Sequence, residues 1–153
     1  MPTKQPNSRH CFICGLENSI GLKLKFYETA PGEVTVDHIV PEEYQGYPGV
    51  VHGGVVAAML DEVAGRTNMG GDPPRFMFTA RLDIRYRQNV PTGQPLRIVG
   101  RSGKVKKRTA TASAKIFGPE GSLLAEAEAL LVNVPVDVAG EVDQALGWKV
   151  YPD

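Results

Sequence analysis

The sequence predicts an α+β domain in which one antiparallel sheet packs on one long helix. Two segments with alternating apolar residues come first, then a helical segment that is apolar nearly all round, then four more alternating segments separated by turn signals. A helix with almost no polar face is buried on most sides, and a run of antiparallel strands can cover it. The length of 153 residues suits one domain of this kind.

The segments up to the end of the helix are predicted from their periodicity. Residues 22–26 and 34–38 alternate apolar and polar positions, and Pro31-Gly32 between them predicts a hairpin. A loop over 41–51 follows, and the helix is expected from Gly53 to about Thr67. The sequence Gly-Gly-Asp-Pro-Pro at 70–74 is expected to end it.

Four strands are predicted after the helix. In the first, 79–87, the alternation puts Ala80, Leu82, Ile84 and Tyr86 inside and Thr79 outside with the charged residues. The next strands are predicted from the alternation at 96–98 and at 109–116, with a bulge or bend near 106–108 because Val105 has the opposite parity.

The last strand and the two ends of the chain complete the predicted organisation. Residues 123–134 have good helix propensity, but their period-2 alternation after a hairpin turn at 118–121 favours a strand. We therefore divide the chain into an N-terminal arm (1–21), a central domain (22–134) and a C-terminal tail (135–153), with one short helix in the tail near 138–146.

Composition excludes several classes of protein. Seventeen basic and seventeen acidic residues give a formal net charge of zero, which argues against a nucleic-acid binder. Apolar runs are too short for a membrane span, and the first ten residues contain no apolar stretch typical of a secretory leader. Two cysteines and no leader predict a cytoplasmic protein with free thiols.

The neutral total conceals a basic segment. Residues 75–115 contain eleven basic side chains and a single acid, Asp83. Such a segment on a neutral protein indicates a local binding site for a polyanion. Basic residues on the solvent-exposed face of strands would give the same sequence pattern. The functional interpretation is strongest for the dense run formed by Lys104, Lys106, Lys107 and Arg108.

The sequence His52-Gly53-Gly54 stands where the helix is predicted to begin. The first N–H groups of a helix lack partners within the helix and carry the positive end of its dipole. Glycines let a foreign carbonyl approach those groups closely, so the segment is a candidate oxyanion site. The alternative is that this segment has no functional role. In that case it is an ordinary helix start that contains glycine, and His52 forms a hydrogen bond that orients the loop.

Two adjacent carboxylates, Asp61 and Glu62, lie two turns into this apolar helix. Burying a carboxylate is costly unless it is paired or used. A structural pairing with Arg66 is the plain alternative, and it suits Glu62 better than Asp61. Seven residues separate Gly54 from Asp61, about 10 Å along the axis, so one chain cannot easily bring both to one reacting carbon. Two antiparallel helices from two subunits can.

The pattern P-x-x-x-Q-G-x-x-G-x-V-H-G-G-x-x-x-x-x-L-D-E, Pro41 to Glu62 here, resembles hotdog-fold acyl-CoA thioesterases of the phenylacetate-pathway (PaaI-like) branch. Residues 79–86 and 93–134 resemble that family's later strands, and Cys11-Phe12-Ile13-Cys14-Gly15 resembles an opening found in one subset. The resemblance implies a hotdog fold, with five to six antiparallel strands wrapped around one central helix, and homodimers or dimers of dimers whose sheets join edge to edge.

The resemblance also implies roles for individual residues. Gly54, with Gly53 and the preceding His52, would bind the thioester carbonyl through the backbone. Asp61 of the partner chain would be general base or nucleophile, with Glu62 as the alternative carboxylate. Thr79 would help to position water or the carboxylate, and Gln45 would be a polar loop residue near the site.

The implied activity is hydrolysis of an acyl-CoA thioester to a free acid and coenzyme A, without a cofactor. The basic run Lys104–Arg108 would then hold the phosphates of coenzyme A. The acyl group stays open; the candidates for its pocket are Tyr44, Tyr47, Met59, Phe76, Met77 and Trp148. A non-catalytic acyl-CoA-binding protein and another hotdog enzyme, such as a hydratase, are the alternative functions.

The pair Cys11 and Cys14 admits three interpretations. Cys-x-x-Cys can be half of a zinc site or a redox pair. The chain has no second pair, so a complete zinc site would need other ligands, such as His10 or His38, or a second subunit. An ordinary turn is preferred, and no metal is expected.

Overall fold

The computed structural model describes residues 1–71 and 74–153. One seven-stranded antiparallel sheet forms the body of the protein, and its strands follow the spatial order β1-β2-β3-β5-β6-β7-β4. Their bounds are β1 Thr3–Lys4, β2 Tyr27–Ala30, β3 Glu33–Ile39, β4 Met77–Tyr86, β5 Pro95–Val105, β6 Thr109–Phe117 and β7 Leu123–Asn133. The predicted hotdog architecture is confirmed, and the strand count exceeds five to six because the arm adds the two-residue β1.

The long helix, α1, spans Gly53–Arg66, as predicted. It contacts strands β3 to β7, so five strands of the sheet pack against it. Its core face is fully buried at Met59, Leu60, Val63 and Ala64. The helix ends before the predicted stop signal at 70–74, of which residues 72 and 73 lie outside the described part of the chain.

The helix and the sheet meet at Gly100 on β5. A Cβ atom built there would lie 2.8 Å from Val63 Cγ1 and 2.9 Å from the Val63 carbonyl oxygen. The backbone of the strand therefore touches the backbone of the helix, and only glycine permits this approach.

The prediction of a strand at 22–26 is wrong, although its burial pattern is right. Leu22, Leu24 and Phe26 are buried, but the N–H groups of Leu22 and Leu24 donate to Phe12 and Ile13 of the arm, both at 2.9 Å. Lys23 between them has φ +58°, which interrupts the extended conformation. The alternation correctly predicts which side chains are buried, but it does not show that the backbone hydrogen-bond partners of this segment belong to the arm. The strand itself begins at Tyr27.

Strand β4 lies at the edge of the sheet and contains a bulge. Thr79 pairs with Leu131 and Arg81 with Leu130, so Ala80 is the extra residue. The predicted outward orientation of Thr79 is wrong because the bulge shifts the alternation: Thr79 reaches α1, as Leu82 and Ile84 do beyond the bulge. Ala80, expected inside, is exposed.

A second bulge lies in β5, earlier than predicted. Ser102 pairs with Ala112 and Val105 with Ala110, so the extra residue falls at 103–104. Residues 106–108 form the turn into β6 instead, closed by the Lys106 N–H donating to the Thr109 carbonyl at 2.8 Å.

The strand prediction for the ambiguous segment at 123–134 is confirmed by β7. The predicted short helix in the tail is α2, Val136–Leu146. The arm and the tail pair with each other, because Asn7 and Lys149 exchange backbone hydrogen bonds of 2.8 and 3.1 Å. Within residues 1–71 and 74–153, no helix has the length and apolar character needed to cross a lipid bilayer.

The contact at Gly100 predicts a stability effect. We expect Gly100→Ala to lower the free energy of unfolding by about 1–3 kcal/mol, the usual cost of overpacking a core. The matched control is Gly140→Ala in α2, where nothing lies within 4 Å of the added Cβ. That exposed helical change should raise stability by about 0.5–1 kcal/mol. Urea unfolding measures both, and a Gly100→Ala protein as stable as the original would contradict the packing argument.

Candidate functional site

The N-terminus of α1 is exposed and capped by its own histidine. His52 is the N-cap residue, and its Nδ1 accepts a hydrogen bond of 2.9 Å from the Gly54 N–H. The Gly53 carbonyl accepts one of 2.7 Å from the Tyr86 hydroxyl. The candidate oxyanion donor is thus at the surface, where its present acceptor is an exposed side chain.

A cavity of about 530 Å³ opens in front of this helix N-terminus. Tyr47, Val50, His52, Gly53 and Tyr86 are among its lining residues. The loop before the helix shapes it: Gln45 Oε1 accepts the Gly49 N–H at 3.1 Å. Gln45 therefore acts on the loop conformation and is not itself among the lining residues.

Asp61 emerges from the flank of α1 towards β4. Thr79 Oγ1 donates a hydrogen bond of 2.6 Å to Asp61 Oδ1. The bulge at Ala80 makes this contact possible, since it turns Thr79 towards the helix. The structure therefore brings together two of the sequence-predicted site residues and fixes one carboxylate oxygen of Asp61.

Glu62 faces a different environment from its neighbour. Its Oε1 lies 3.3 Å from Arg66 Nε, and its side chain is 24% exposed. Burial raises the pKa of the Glu62 carboxyl to about 7, and the positive charge of Arg66 opposes that shift. The structural pairing weighed for Glu62 is thus present, whereas Asp61 makes no ion pair among those of the described residues.

Arg66 is a buried cation that the sequence indicated only as a partner for the helix carboxylates. It is 1% exposed and stacks with Phe26 and Trp148, whose ring centroids lie 3.8 and 4.8 Å from its Cζ. Its Nη1 donates to the Pro6 carbonyl at 2.6 Å, and its Nη2 is buried without a hydrogen-bond partner in the described structure. It ties α1 to the arm and the tail.

A second cavity, of about 230 Å³, lies at the Asp61 end of α1. Asp61, Glu62, Thr79, Phe76, Met77 and Trp148 are among its lining residues. Three predicted pocket residues are therefore gathered here, whereas Met59 is fully buried in the core and Tyr44 braces the arm by donating to the Gly21 carbonyl at 3.1 Å. Gly53, at the start of α1, and Asp61 of the same chain line different cavities.

The thiols of Cys11 and Cys14 lie beside Glu62 on the wall of this second cavity. A hydrogen bond from the Cys14 thiol lowers the pKa of Cys11 to about 6, while burial acts in the opposite direction. The same hydrogen bond, together with burial, raises the pKa of Cys14. Among the described residues, these three side chains form the one group with the ligand atoms and proximity to hold a metal ion.

The basic run Lys104–Arg108 covers the exposed end of β5 and the turn into β6. Asn133 Nδ2 donates to the Lys107 carbonyl at 2.8 Å, and Asn133 itself pairs with Met77 at the start of β4. The run therefore lies at the Thr79 end of β4, on the same side as Asp61.

Within the described residues, the charges of the run differ from others in the basic segment because they form no ion pairs. Arg81, Arg87, Arg97 and Arg101 each form an ion pair with a nearby acid on the exposed side of the sheet. None of the four side chains of the run takes part in an ion pair within the described residues. The run is thus available to an anionic ligand, and the paired arginines are not.

The family of the chain follows from comparison with known proteins. Residues 48–125, slightly more than half of the sequence, match the thioesterase superfamily. The chain belongs to this superfamily. The matched region contains the helix start, both carboxylates, Thr79 and the basic run.

Individual members of the thioesterase superfamily resemble the chain over larger parts. Acyl-coenzyme A thioesterase THEM4 from Bos taurus is 27% identical over 125 residues, which are 80% of this chain and 51% of that protein. The crystal structure of another thioesterase superfamily protein is 33% identical, with TM-score 0.74, over 81% of this chain and 60% of its own. The chain spans about half the length of the curated relatives it matches.

A solved Streptococcus mutans protein with bound acetyl-CoA shares the fold. It is 20% identical, with TM-score 0.66, and the match covers 72% of this chain and 88% of the other.

Proposed function

We propose that this protein is an acyl-CoA thioesterase, hydrolysing a thioester to a free carboxylic acid and coenzyme A. The observation that carries the proposal is Asp61, a carboxylate on an otherwise apolar helix, held at one oxygen by Thr79 and open to a cavity at the other end of the helix from Gly54. The THEM4 relatives, named as acyl-coenzyme A thioesterases, and the acetyl-CoA bound by the Streptococcus mutans protein support coenzyme A as the carrier.

The active site is proposed to combine two subunits. Gly54 and Asp61 of one chain are about 10 Å apart along the helix axis, so a single thioester carbon cannot contact both. Two α1 helices running antiparallel across a two-fold axis would place Gly54 of one subunit opposite Asp61 of its partner. The site would then occur twice in each dimer.

The edge of the sheet supports this assembly. Within the described chain β4 pairs with β7 alone, and it leaves Phe78 and Tyr86 each 54% exposed. A ten-residue edge strand with exposed aromatic side chains invites pairing with another strand. We propose a homodimer, or a dimer of dimers, joined through this edge, and a place in the PaaI-like branch on the strength of the motif at Pro41–Glu62.

The proposed chemistry uses two groups. The Gly54 N–H, once released by His52, donates to the thioester oxygen and stabilises the negative charge that develops there. Asp61 of the other subunit, oriented by Thr79, either takes a proton from a water that attacks the carbonyl carbon, or attacks that carbon itself to form a mixed anhydride that water then hydrolyses. In both routes the carbon–sulfur bond breaks and coenzyme A leaves as the thiolate, which takes up a proton. The basic run holds the phosphates of coenzyme A.

The location of the protein in the cytoplasm stays a prediction.

Asp61 is predicted to be the catalytic carboxylate. Asp61→Asn should lower kcat about 100-fold or more, the loss typical of removing a catalytic acid or base, while size-exclusion chromatography shows an unchanged assembly. Release of free thiol from a panel of acyl-CoA substrates measures turnover. The matched control is Asp37→Asn, an exposed carboxylate paired with Arg97 on the sheet. Near-normal turnover in Asp61→Asn, with a large loss in Glu62→Gln, would transfer the role to Glu62.

The basic run is predicted to bind the nucleotide part of coenzyme A. Changing Lys104, Lys106, Lys107 or Arg108 singly to Ala should raise KM for an acyl-CoA more than KM for the corresponding acyl-pantetheine, because only the first carries nucleotide phosphates. Arg97→Ala, which removes a cation already paired with Asp37, is the control. Equal effects on both substrates would identify the run as an ordinary solvated turn.

The shared site is predicted to be restored by mixing two inactive variants. Gly54→Pro removes the N–H, and Asp61→Ala removes the carboxylate. After subunit exchange, about half of the dimers should be mixed, each with one intact site and one doubly defective site. About a quarter of the original activity should return. Failure to recover activity after exchange has been verified by mass spectrometry would place the chemistry within one chain.

A further inference from the structure

Three metal-binding side chains converge where the arm meets α1. The Sγ atoms of Cys11 and Cys14 and a carboxylate oxygen of Glu62 all lie within 4.8 Å of one another. Tetrahedral ligands at zinc distances of about 2.0–2.3 Å are separated by about 3.3–3.8 Å, so a modest closing of the group suffices. Neither cysteine is in a disulfide, and Cys14 is buried.

The turn that carries the two cysteines is built around one glycine. The Gly15 N–H donates to the Cys11 carbonyl at 2.8 Å. A Cβ at Gly15 would lie 2.4 Å from the Cys11 nitrogen and 2.5 Å from its oxygen, so no other residue fits this turn. The turn brings both sulfurs to one side, and Cys-x-x-Cys at this spacing is the usual half of a zinc site.

Each candidate ligand has a donor behind it. The Ile13 N–H donates to Cys11 Sγ at 3.4 Å, Ser8 Oγ lies 3.3 Å from Cys14 Sγ, and Arg66 Nε lies 3.3 Å from Glu62 Oε1. Such outer contacts orient ligands and strengthen metal binding in proteins. The contact with Arg66 uses only Oε1 of Glu62, so the second carboxylate oxygen is available to an ion.

The charges also favour a divalent cation. Two thiolates and one carboxylate carry three negative charges, which a divalent ion and the buried Arg66 guanidinium would balance. The fourth position of a tetrahedron would face the 230 Å³ cavity, into which this group opens. Three protein ligands with one open position are a known zinc arrangement, and sulfur-rich tetrahedral sites select zinc or iron–sulfur centres.

We propose that Cys11, Cys14 and Glu62 bind one zinc ion, which fastens the arm to α1. This inference reverses the expectation of no metal, because the sequence did not indicate that Glu62 would meet the cysteine turn. It concerns a site beside Asp61 and does not depend on the proposed thioesterase activity.

The test uses the full-length protein, reduced and stripped of metal with a chelator. Titration with Co²⁺ should produce the thiolate charge-transfer absorption and the visible bands of tetrahedral cobalt, and Zn²⁺ should abolish both. Zinc analysis after dialysis should find one ion per chain. Cys11→Ser and Cys14→Ser should each lose at least half of the charge-transfer absorption, because each removes one of the two thiolates. Glu62→Gln should bind at least tenfold more weakly. The control, Glu17→Gln, changes an exposed carboxylate of the same arm and should bind as the original does.

A second measurement covers variants that fold poorly. Adding Zn²⁺ to the metal-free original protein should raise its Tm, since a ligand bound only by the folded state stabilises that state. Ser8→Ala, which removes the hydroxyl beside Cys14, should weaken zinc binding about tenfold. The proposal fails if the reduced protein binds less than one zinc ion per chain and its Co²⁺ titration shows no charge-transfer absorption. It also fails if Glu62→Gln binds as tightly as Glu17→Gln. A mass lower by two hydrogens in air, together with absent metal binding after reduction, would identify a redox pair instead.

Discussion

The close packing of one apolar helix against the sheet is the constraint on which the rest of the structure depends. At Gly100 the strand backbone touches the carbonyl of Val63, which seats α1 deep in the sheet. Because its core face is filled, polar residues of the helix can emerge only at its flanks. Successive residues of a helix point about 100° apart, so Asp61 emerges towards β4 and Glu62 towards the arm. One short stretch of helix thus supplies two chemically different environments.

The arm and the tail convert these flanks into enclosed surfaces. Arg66 is stacked between Phe26 and Trp148 and donates to Pro6, so a single cation joins the helix to both ends of the described chain. The arm and the tail supply part of the wall of the cavity beside Asp61, and they lie outside the part of the chain that matches the thioesterase superfamily. For the proposed activity, differences in acyl selectivity between this chain and its relatives would therefore be sought in the arm and the tail.

Periodicity predicted most of the fold, and its failures have physical causes. Alternation identified β3, β6 and β7 because each has one buried face. It misassigned Leu22–Phe26, since burial does not reveal which backbone supplies the hydrogen bonds. It placed Thr79 on the wrong face because one bulged residue, Ala80, reverses the parity and carries no sequence signal of its own. Asp61 and Thr79 were both candidates from the sequence, but their 2.6 Å hydrogen bond depends on that bulge. The meeting of Glu62 with Cys11 and Cys14 joins segments some fifty residues apart, which no local pattern encodes.

The cap that His52 provides to Gly54 makes the proposed site a competition between acceptors. In the structure without substrate, the Gly54 N–H already has a hydrogen-bond acceptor, the Nδ1 atom of His52. A neutral thioester oxygen is a weak rival to that nitrogen, whereas an oxyanion is a strong one. The exchange of partners would then favour the charged species over the bound substrate, which is the differential binding that speeds a reaction. An exposed histidine would in this way sharpen the selectivity of the helix for the transition state without touching the reacting carbon.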